Sequence, residues 1–507
     1  MGAPRRGGLA DGRAPAHHAG SAPGFEEPSV TSDATSDAAT DATAPLMPAG
    51  ASPAAGPARR PVALVVLAAG QGTRMLSDRP KVLHEVAHAP LLHHALRAGA
   101  ALAPARTVVV TGHGGEAVAR AAREIDPEAA VAHQAERLGT AHAVAQARPV
   151  LDGFAGDVLV LYGDTPFIGA ETLKRMAARR ARGADVVVLG FEAADPGRYG
   201  RLIAEGDRLL GIREFKDATE DERAIRLCNS GVVMADAALL WELIDAVGSD
   251  NAAGEFYLTD IVAIANDRGL RAAVVRCDES ETLGINSRAD LAAAEGAFQA
   301  RARAALLEAG VSLPAPDTVH LAFDTALGRD CTVEPFVVFG PGVSVETGAR
   351  IRAFSHLEGC HVGADATVGP YARLRPGAEI GNGARLGNFI EIKAAAIGEG
   401  AKVPHLSYVG DAEVGARANL GAGTVTCNYD GVFKHRTTIG EDAFIGSSTM
   451  LVAPVRVGAG ALTASGSVIT EDVPAGALAL GRARQVNKPG LADKLMARLR
   501  ALKAERD

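Results

Sequence analysis

The chain has 507 residues with a net charge of −8, and 47% of its residues are hydrophobic. This length exceeds what one hydrophobic core accommodates and predicts two or three domains. The modest acidic charge lacks the basic stripe of nucleic-acid-binding proteins, and no apolar run reaches the roughly 18 residues that cross a membrane. We therefore expect small-molecule substrates.

Cysteine usage indicates a reducing compartment. The thiols are odd in number, far apart and without metal-ligand spacing: Cys228, Cys277, Cys331, Cys360 and Cys427. We expect free thiols and a cytoplasmic protein, because disulfides are rare in the cytosol.

The first sixty residues are rich in Ala, Pro, Gly, Asp and Thr, and we expect residues 1–60 to be disordered because they cannot bury enough surface to offset chain entropy. They also lack the continuous apolar segment of a secretory signal. Met47 lies close before the first predicted strand and is a candidate translation start. The mass of the native N-terminal peptide would decide this.

A buried strand that leads into a glycine loop opens the first predicted domain. The apolar run Val62–Ala68 is typical of a parallel sheet, and Gly70 and Gly72 follow it. Glycines there would let the backbone approach a di- or triphosphate, although a plain turn fits them equally well. The dinucleotide-binding fingerprint is excluded because Met75 replaces its third glycine.

The longer motif Leu67-Ala-Ala-Gly-Gln-Gly-Thr-Arg-Met75, followed by Arg79-Pro-Lys-Val-Leu83, resembles the signature of sugar-1-phosphate nucleotidyltransferases, whose fold is a Rossmann-like sheet. The resemblance implies that Arg74 and Lys81 are catalytic and bind phosphate by charge-assisted hydrogen bonds. Apolar strands alternate with helix-length segments such as residues 91–103, which predicts an α/β domain over residues 61–286. The further strands are predicted at residues 107–110, 158–161 and 186–189.

One carboxylate, Asp164, follows the strand predicted at residues 158–161 and would lie at the carboxyl edge of the sheet. A lone aspartate in such a place is also a common helix cap or turn former. Mg²⁺ takes only one or two protein oxygens in many sites, and the family resemblance implies that Asp164 and Asn286 hold it.

The same resemblance implies that UTP and N-acetylglucosamine 1-phosphate bind in this domain. The attack of the sugar phosphate on the α-phosphorus of UTP would release pyrophosphate without a protein nucleophile. Amide and backbone groups suit the uracil edge, and a carboxylate suits sugar hydroxyls. The residues that match family contacts are Leu67, Ala68, Ala69, Gly70, Lys81, Gln134, Gly139, Thr140, Tyr162, Gly163, Asp164, Gly200, Glu214, Asn229 and Asn286.

Helical composition follows the first domain. Ser287 with Asp290 predicts a helix start, and Gly310 predicts its end. We expect residues 287–310 to form a rigid linker that sets the first domain at a distance from the second.

An aliphatic residue recurs at nearly every sixth position between Val345 and Ile469, which predicts a parallel β-helix. Known hexapeptide proteins are left-handed β-helices that associate as trimers. Residues 427–437 interrupt the period and form either a functional loop or a tolerated insertion. The recurring positions include Ile351, Leu357, Val362, Val368, Leu374, Ile380, Leu386, Ile392, Ile397, Val403, Val409, Val414, Leu420, Ile439, Ile445, Leu451 and Val457.

Motifs in this solenoid resemble the acetyltransferase half of the bifunctional N-acetylglucosamine-1-phosphate uridyltransferase/glucosamine-1-phosphate acetyltransferase family. They include Arg373-Leu-Arg-Pro-Gly377, Gly387-Asn-Phe-Ile-Glu-Ile-Lys393 and His405-Leu-Ser-Tyr408. The resemblance covers about residues 61–484, with the two halves in the same order as in the family. It implies a β-helix domain over residues 311–485 and a homotrimer, and leaves residues 486–507 as a C-terminal tail with a short amphipathic helix.

Acetylation requires an unprotonated amine, so a base with a pKa near neutral is useful, and the resemblance makes His405 that catalytic base. A lone histidine at a strand corner is more often structural. The implied contacts to the sugar phosphate are Arg375, Lys393, Tyr408 and Asn419. Those to acetyl-CoA are Ala422, Asn428, Tyr429, Ser447, Ser465 and Arg482, with Ser465 at a position that is often Ala in the family.

The resemblance therefore implies a cytoplasmic, Mg²⁺-dependent enzyme that makes UDP-N-acetylglucosamine for peptidoglycan and lipid A. It would acetylate glucosamine 1-phosphate with acetyl-CoA and then transfer uridylyl from UTP. One alternative is a monofunctional nucleotidyltransferase with a structural or regulatory solenoid. Another is a non-catalytic nucleotide-sugar sensor, which would be expected to lack Arg74, Lys81 or Asp164.

Overall fold

The computed structural model describes residues 60–506. The predictions of a disordered segment at residues 1–60 and of a start at Met47 fall, apart from Arg60, outside the described residues. The domain limits given above remain predictions.

The N-terminal half is built on a mixed sheet, which confirms the Rossmann-like α/β prediction. All the strands expected from the sequence are present. Within residues 60–506 the sheet has nine strands, in the spatial order Ala130–His133, Arg106–Thr111, Val62–Ala68, Asp157–Tyr162, Leu227–Asp236, Val186–Glu192, Ala272–Cys277, Arg208–Arg213 and Arg201–Glu205.

The strand Val62–Ala68, third in this order, is buried along its whole length. Its side chains alternate between two cores, because successive residues of a strand point to opposite faces. Val65 joins the core on one face, and Leu64 and Val66 join the core on the other. This explains why the strand reads as a continuous apolar run.

Helices cover both faces of this sheet. The helix predicted at residues 91–103 ends at Ala100, since Ala103 has a left-handed backbone (φ 49°) and Pro104 follows. The α-helices are Leu91–Ala100, Gly115–Ile125, Thr140–Ala145, Ala170–Ala181, Glu220–Arg223, Ala237–Asp245 and Ile261–Asp267. Short 3₁₀ helices occupy Thr73–Met75, Lys81–Leu83, Leu258–Asp260, Glu279–Thr282 and Pro316–Thr318, and a small hairpin pairs Glu85–Val86 with Ala89–Pro90.

The strand at the centre of the sheet runs antiparallel to its neighbours, as do the strands Arg208–Arg213 and Arg201–Glu205 at one edge. Leu227–Asp236 pairs antiparallel with both Asp157–Tyr162 and Val186–Glu192. Its first residues, including Asn229, therefore reach the carboxyl edge of those two strands. The sequence analysis did not predict this reversal.

The connecting helix Arg288–Glu308 begins as predicted, with the Ser287 hydroxyl and the Asp290 carboxylate forming a capping box. The sequence analysis expected this helix to set the first domain at a distance from the solenoid. That expectation is wrong at the first coil, where the two halves are in contact. Gln299 is buried, and its amide exchanges two hydrogen bonds with the backbone of Leu321 (2.7 and 2.9 Å). The backbone N–H of Phe323 also donates to the carbonyl of Ala87 (2.9 Å). The helix is thus fastened to the first coil of the solenoid.

The C-terminal half is a parallel β-helix with the left-handed architecture that the hexapeptide period predicted. Its first sheet contains Ala326–Leu327, Ser344–Val345, Cys360–Val362, Ala378–Ile380, Ala395–Ile397, Ala412–Val414, Thr437–Ile439 and Val455–Val457. The second contains Thr332–Val333, Arg350–Ile351, Thr367–Val368, Arg385–Asn388, Lys402–His405, Asn419–Leu420, Phe444–Ile445, Leu462–Thr463 and Leu478–Ala479. The third contains Val338–Phe339, His356–Leu357, Ala372–Leu374, Ile390–Lys393, Tyr408–Gly410, Val425–Cys427, Met450–Val452 and Val468–Ile469.

Most coils take 17 or 18 residues, as Ser344 pairs with His361 and Ala326 pairs with Ser344, and the last takes 16, as Leu462 pairs with Leu478. The predicted aliphatic ladder fills the interior as one continuous core. Across the insertion the spacing rises to 25 residues, from Ala412 to Thr437, and the register then resumes.

The tail forms the helix Leu491–Ala504, which has no buried residue. Its apolar side chains, including Leu495 and Leu499, are exposed. No helix among residues 60–506 is long and apolar enough to cross a membrane.

Candidate functional site

A cavity of about 340 Å³ opens at the carboxyl edge of the sheet. Ten predicted substrate-contact residues line it: Leu67, Ala68, Ala69, Gly70, Lys81, Gln134, Gly139, Thr140, Tyr162 and Asp164. Gly163 lies beside them, because its N–H donates to the carbonyl of Leu67 (2.9 Å). The cavity is also lined by four residues that the sequence analysis did not name: Val82, Arg137, Ala143 and Glu255.

The glycine loop is shaped around Lys81. Gly72 has φ 62°, and a Cβ atom there would lie 2.6 Å from Cβ of Lys81. Only glycine fits this combination of left-handed backbone and close contact. The loop thereby packs against a lysine that is itself largely buried (9% exposed).

Lys81 joins the two residues predicted to hold a metal. Its Nζ atom forms an ion pair with the carboxylate of Asp164 and lies 3.2 Å from Oδ1 of Asn286. Two oxygen atoms from separate segments of the chain, one of Asp164 and one of Asn286, therefore lie close to one positive charge. Within residues 60–506 no cluster of three or more His, Cys, Asp or Glu side chains could hold a metal. A carboxylate and an amide oxygen nevertheless suit Mg²⁺, which draws its other ligands from water and phosphate.

The predicted uracil segment is held against residues 255–258. Gly139 has φ 117°, and a Cβ atom there would lie 2.4 Å from the carbonyl oxygen of Phe256. The amide of Gln134 donates to the Gly139 carbonyl (3.3 Å), and the Thr140 hydroxyl accepts from the N–H of Leu258 (2.9 Å). The wall of the cavity is thus tied together by backbone groups.

The three predicted sugar contacts form a second group beside Tyr162. The N–H of Asn229 donates to the carbonyl of Gly200 (2.8 Å), and Gly200 faces the Glu214 carboxylate, which a Cβ atom would approach to 3.4 Å. Burial raises the pKa of Glu214, although a hydrogen bond from the Thr259 hydroxyl (3.2 Å) opposes this. Burial, with Asp164 and Glu214 nearby, also raises the pKa of Tyr162, which places this group next to the cavity.

Arg74 differs from the other predicted residues. It lies on the 3₁₀ turn Thr73–Met75, is exposed, and does not line the cavity. Within residues 60–506 its side chain forms no hydrogen bond or ion pair, although its charge lies near enough to Asp290 to help lower that carboxylate's pKa. Its catalytic role remains a prediction.

In the solenoid, His405 stands on the coil above Asn388. The two residues pair in register, and Nδ1 of His405 lies 2.6 Å from Oδ1 of Asn388. The imidazole is exposed, so a substrate can reach it.

The predicted phosphate-binding cations are held nearby by carboxylates. Arg375 donates to Glu391 (2.9 Å), and Glu391 pairs in register with Tyr408. Lys393 lies 3.3 Å from both carboxylate oxygens of Asp411. Both cations remain partly exposed, with about a third and a quarter of their side chains accessible (35% and 23%).

Asn428 links this group to the insertion. Its amide donates to Asp411 and to the hydroxyl of Tyr408 (3.4 Å). The insertion is ordered by Asp430, whose pKa is lowered to about 2 by its hydrogen bond from His435. Tyr429, which follows Asn428, is 57% exposed, and the Lys434 ammonium lies 5.2 Å from the centre of its ring.

Three predicted acetyl-CoA contacts form a column at one corner of successive coils. The N–H of Ser448 donates to the carbonyl of Ala422 (2.7 Å), and the N–H of Gly466 donates to that of Ser447 (2.8 Å), which brings Ser465 above Ser447. Asn419 lies on the strand that leads into this corner, and Arg482 is exposed one residue after Gly481.

Comparisons with known proteins match both halves of this arrangement. The family model of the MobA-like NTP transferase domain matches residues 64–230. The chain is 66% identical over 444 residues to "Bifunctional protein GlmU" of Jannaschia sp. (strain CCS1), covering 88% of this chain and 98% of that protein.

The chain belongs to the bifunctional GlmU family. The GlmU protein of Cereibacter sphaeroides is 68% identical over 443 residues, covering 87% of this chain and 97% of that protein. A solved structure of UDP-glucose pyrophosphorylase complexed with UDP-glucose covers 48% of this chain and 99% of its own, with 17% identity and a TM-score of 0.40.

Membership of the GlmU family confirms the resemblance noted from the motifs and the prediction of an enzyme with two transferase activities. Membership of this family implies nucleotide and acetyl-CoA substrates. The alternative of one activity on a purely structural solenoid is not favoured. The roles of individual GlmU residues remain predictions.

Sequence reasoning missed several residues of both sites. Arg137 lies between Gln134 and Gly139 in the sequence and lines the cavity, and its guanidinium donates to the side-chain oxygen of Gln71 (2.8 Å). Its place inside the uracil motif could have drawn attention to it. Asn388 and Asp411 were likewise present in or beside the quoted motifs, but only the coil register shows which side chains they contact.

Proposed function

We propose that this chain makes UDP-N-acetylglucosamine at two sites, one in residues 61–286 and one in residues 311–485. Acetyl transfer to glucosamine 1-phosphate precedes uridylyl transfer, because the predicted sugar contacts Gly200, Glu214 and Asn229 of the first site would receive the N-acetylated sugar. The observation that carries the proposal is the coexistence of the Lys81 site and the His405 site in one chain, each formed from predicted residues.

At the first site, the glycine loop receives the phosphates of UTP, and Gln134 with Gly139 and Thr140 receives the uracil edge. Lys81 neutralises charge that develops on the α-phosphate, in the manner of a preorganised cation. When Mg²⁺ is bound, it supplies further charge neutralisation and orients the triphosphate. Asp164 and Asn286 would hold it, since both already direct oxygen atoms to one cation.

At the second site, Asn388 sets the proton position on His405. An amide oxygen accepts a hydrogen bond, so Nδ1 carries the proton and Nε2 keeps its lone pair. Nε2 then takes the proton from the sugar amine as nitrogen attacks the thioester carbonyl. The C–N bond forms, the C–S bond breaks, and the thiolate of coenzyme A receives the proton.

We also propose a cytoplasmic homotrimer. An exposed aromatic ladder supports self-association: the rings of Phe336, Phe354, Tyr371 and Phe389 stack at 4.9–5.1 Å. All four are close to half exposed, and Leu406 beside His405 continues the ladder at 61% exposure. Exposed apolar patches of this kind mark interaction sites. Sedimentation equilibrium tests the state, and a stable monomer would contradict it.

Two assays on one purified sample test the proposed function. Acetyl-CoA with glucosamine 1-phosphate should release a free thiol, and UTP with N-acetylglucosamine 1-phosphate and Mg²⁺ should release pyrophosphate. Pyrophosphate release without thiol release would contradict the proposed role of His405. Replacing Mg²⁺ by chelator should stop only the second reaction.

A further inference from the structure

A second cavity, of about 410 Å³, lies on the opposite edge of the sheet from the nucleotide site. It opens where the strands Val186–Glu192 and Ala272–Cys277 begin, beside the end of the helix Ala170–Ala181. Arg179, Arg182, Arg208 and Arg271 line it. None of these residues belongs to either site described above.

The cavity concentrates positive charge without a matching carboxylate. Four guanidinium groups line it, and no Asp or Glu does. Two acidic side chains lie close by, and neither forms an ion pair with a guanidinium group of the cavity among the described residues. Asp185 accepts from the backbone N–H of Arg271 (2.8 Å), and Asp207 pairs with Arg276 (3.8 Å). Such a convergence of like charges is unfavourable unless an anion offsets it.

Most of these guanidinium groups have no partner. Arg271 is held by the carbonyl of Gly183 (3.1 Å from Nε). Within the part of the chain that the structure describes, the side chains of Arg179, Arg182 and Arg208 form no hydrogen bond or ion pair. They are therefore available to a ligand.

Two buried polar atoms at the cavity also lack partners. Nε of Arg179 has no acceptor and Oδ1 of Asn266 has no donor among residues 60–506. The Asn266 amide is fixed by three carbonyls, those of Leu209, Leu210 and Val262 (2.9–3.1 Å), so its oxygen cannot turn away. Buried unsatisfied polar groups are costly, so the polar groups packed behind this cavity are incompletely paired in the structure.

We propose that this cavity binds a small phosphorylated anion that carries two or more negative charges. Arginine matches phosphate oxygens through paired hydrogen bonds, and the volume lies within the range of small-molecule pockets. Arg179 with Arg182 and Arg208 holds the phosphate groups. The ligand lies apart from the substrates of both reactions.

Pyrophosphate binding to the full-length protein tests the proposal by calorimetry. The wild type should bind pyrophosphate at two places in this half of the chain, the nucleotide site and this cavity. The variant Arg179→Gln/Arg182→Gln should lose one of them, with affinity there falling about tenfold or more, because each lost charged hydrogen bond weakens binding. Lys81→Ala should lose the other.

The matched control is Arg120→Gln/Arg123→Gln, which removes the same charge from the exposed face of the helix Gly115–Ile125. It should keep both binding events. The Arg179→Gln/Arg182→Gln variant should retain uridylyl transfer, which shows that it is folded. The proposal is overturned if this variant binds pyrophosphate like the wild type, or if the control loses as much.

Discussion

Nδ1 of His405 lies 2.6 Å from Oδ1 of Asn388, directly one coil apart in the second sheet of the solenoid. This relationship fixes which imidazole nitrogen is free to take a proton, since the amide oxygen can only accept. Asn388 is thus a positioning residue for the proposed base. The strand register alone brings the two side chains together.

We expect His405→Ala to lower acetyl transfer by about 10²–10⁴-fold, the usual contribution of a general base. Uridylyl transfer should not change, because the other site lies in a separate core. Asn388→Ala should lower acetyl-transfer turnover and shift its pH profile, as the imidazole loses its fixed tautomer. Thiol release measured against pH checks both variants, and equal loss of both activities would indicate misfolding.

Lys81→Ala should lower uridylyl-transfer turnover by about 10²–10³-fold, as for the loss of one preorganised charged donor. It should also lower the melting temperature, because the Asp164 carboxylate loses its partner. Arg74→Ala should lower turnover without a change in melting temperature, since Arg74 is exposed and unpaired among residues 60–506. Pyrophosphate release and calorimetry separate the two. Undiminished turnover in Arg74→Ala would refute its predicted role.

Gly139→Ala should destabilise the folded chain by about 1–3 kcal/mol, the cost of a backbone conformation that only glycine adopts. A Cβ atom would also meet the Phe256 carbonyl at 2.4 Å, so UTP binding should weaken. Gly296→Ala is the control. Gly296 lies within the helix Arg288–Glu308 with open space around it, so that change should stabilise by about 0.5–1 kcal/mol. Urea unfolding measures both.

Glu214→Gln should raise the melting temperature at neutral pH and weaken sugar-phosphate binding. Burial raises the pKa of Glu214, so the folded chain disfavours its charged form. Below the ordinary glutamate value of 4.5 both states are protonated and the penalty is absent. The penalty grows as pH rises through the folded-state pKa and is full above it.

The stabilisation by Glu214→Gln should therefore vanish in acid. Glu205→Gln removes an exposed carboxylate from a neighbouring strand and should leave the melting temperature unchanged at both pH values. An equal gain at low pH would show that charge burial is not the cause.

The thiols should react slowly with alkylating reagents in the native state. All five cysteines are free, and burial raises the pKa of Cys277 and Cys360 to about 12. Only the thiolate is the nucleophile, so these groups stay unreactive near neutral pH. Mass spectrometry after timed alkylation checks this. We expect Cys427, which is only partly buried, to be labelled before Cys360.

Much of the fold could be predicted because its signals are local. The buried strand Val62–Ala68 matches its apolar run residue for residue, and the capping box at Ser287 is where the sequence places it. The six-residue aliphatic repeat follows from one continuous interior that buries every sixth side chain. Burial at a regular spacing can therefore be recognised in a single sequence.

Features that depend on long-range pairing could not be predicted. Nothing local marks Leu227–Asp236 as antiparallel, yet that reversal carries Asn229 to the cavity edge. Arg137 and Glu255 meet at one cavity from segments far apart in the chain. The arginine cavity likewise arises from residues dispersed between 179 and 271, whose charges look unremarkable in sequence.

The strict register of the solenoid also limits how its length can change. His405 acts with Asn388 from the coil below, and Lys393 with Asp411 from the coil above, 17 and 18 residues apart. Inserting or deleting part of a coil between these residues would shift the strand register and separate His405 from Asn388, or Lys393 from Asp411. Only a change by a whole coil would keep the remaining strand pairs in register, so the length of the solenoid can change only in steps of one coil. Residues 427–437 escape that rule because they leave the stack and rejoin it in phase.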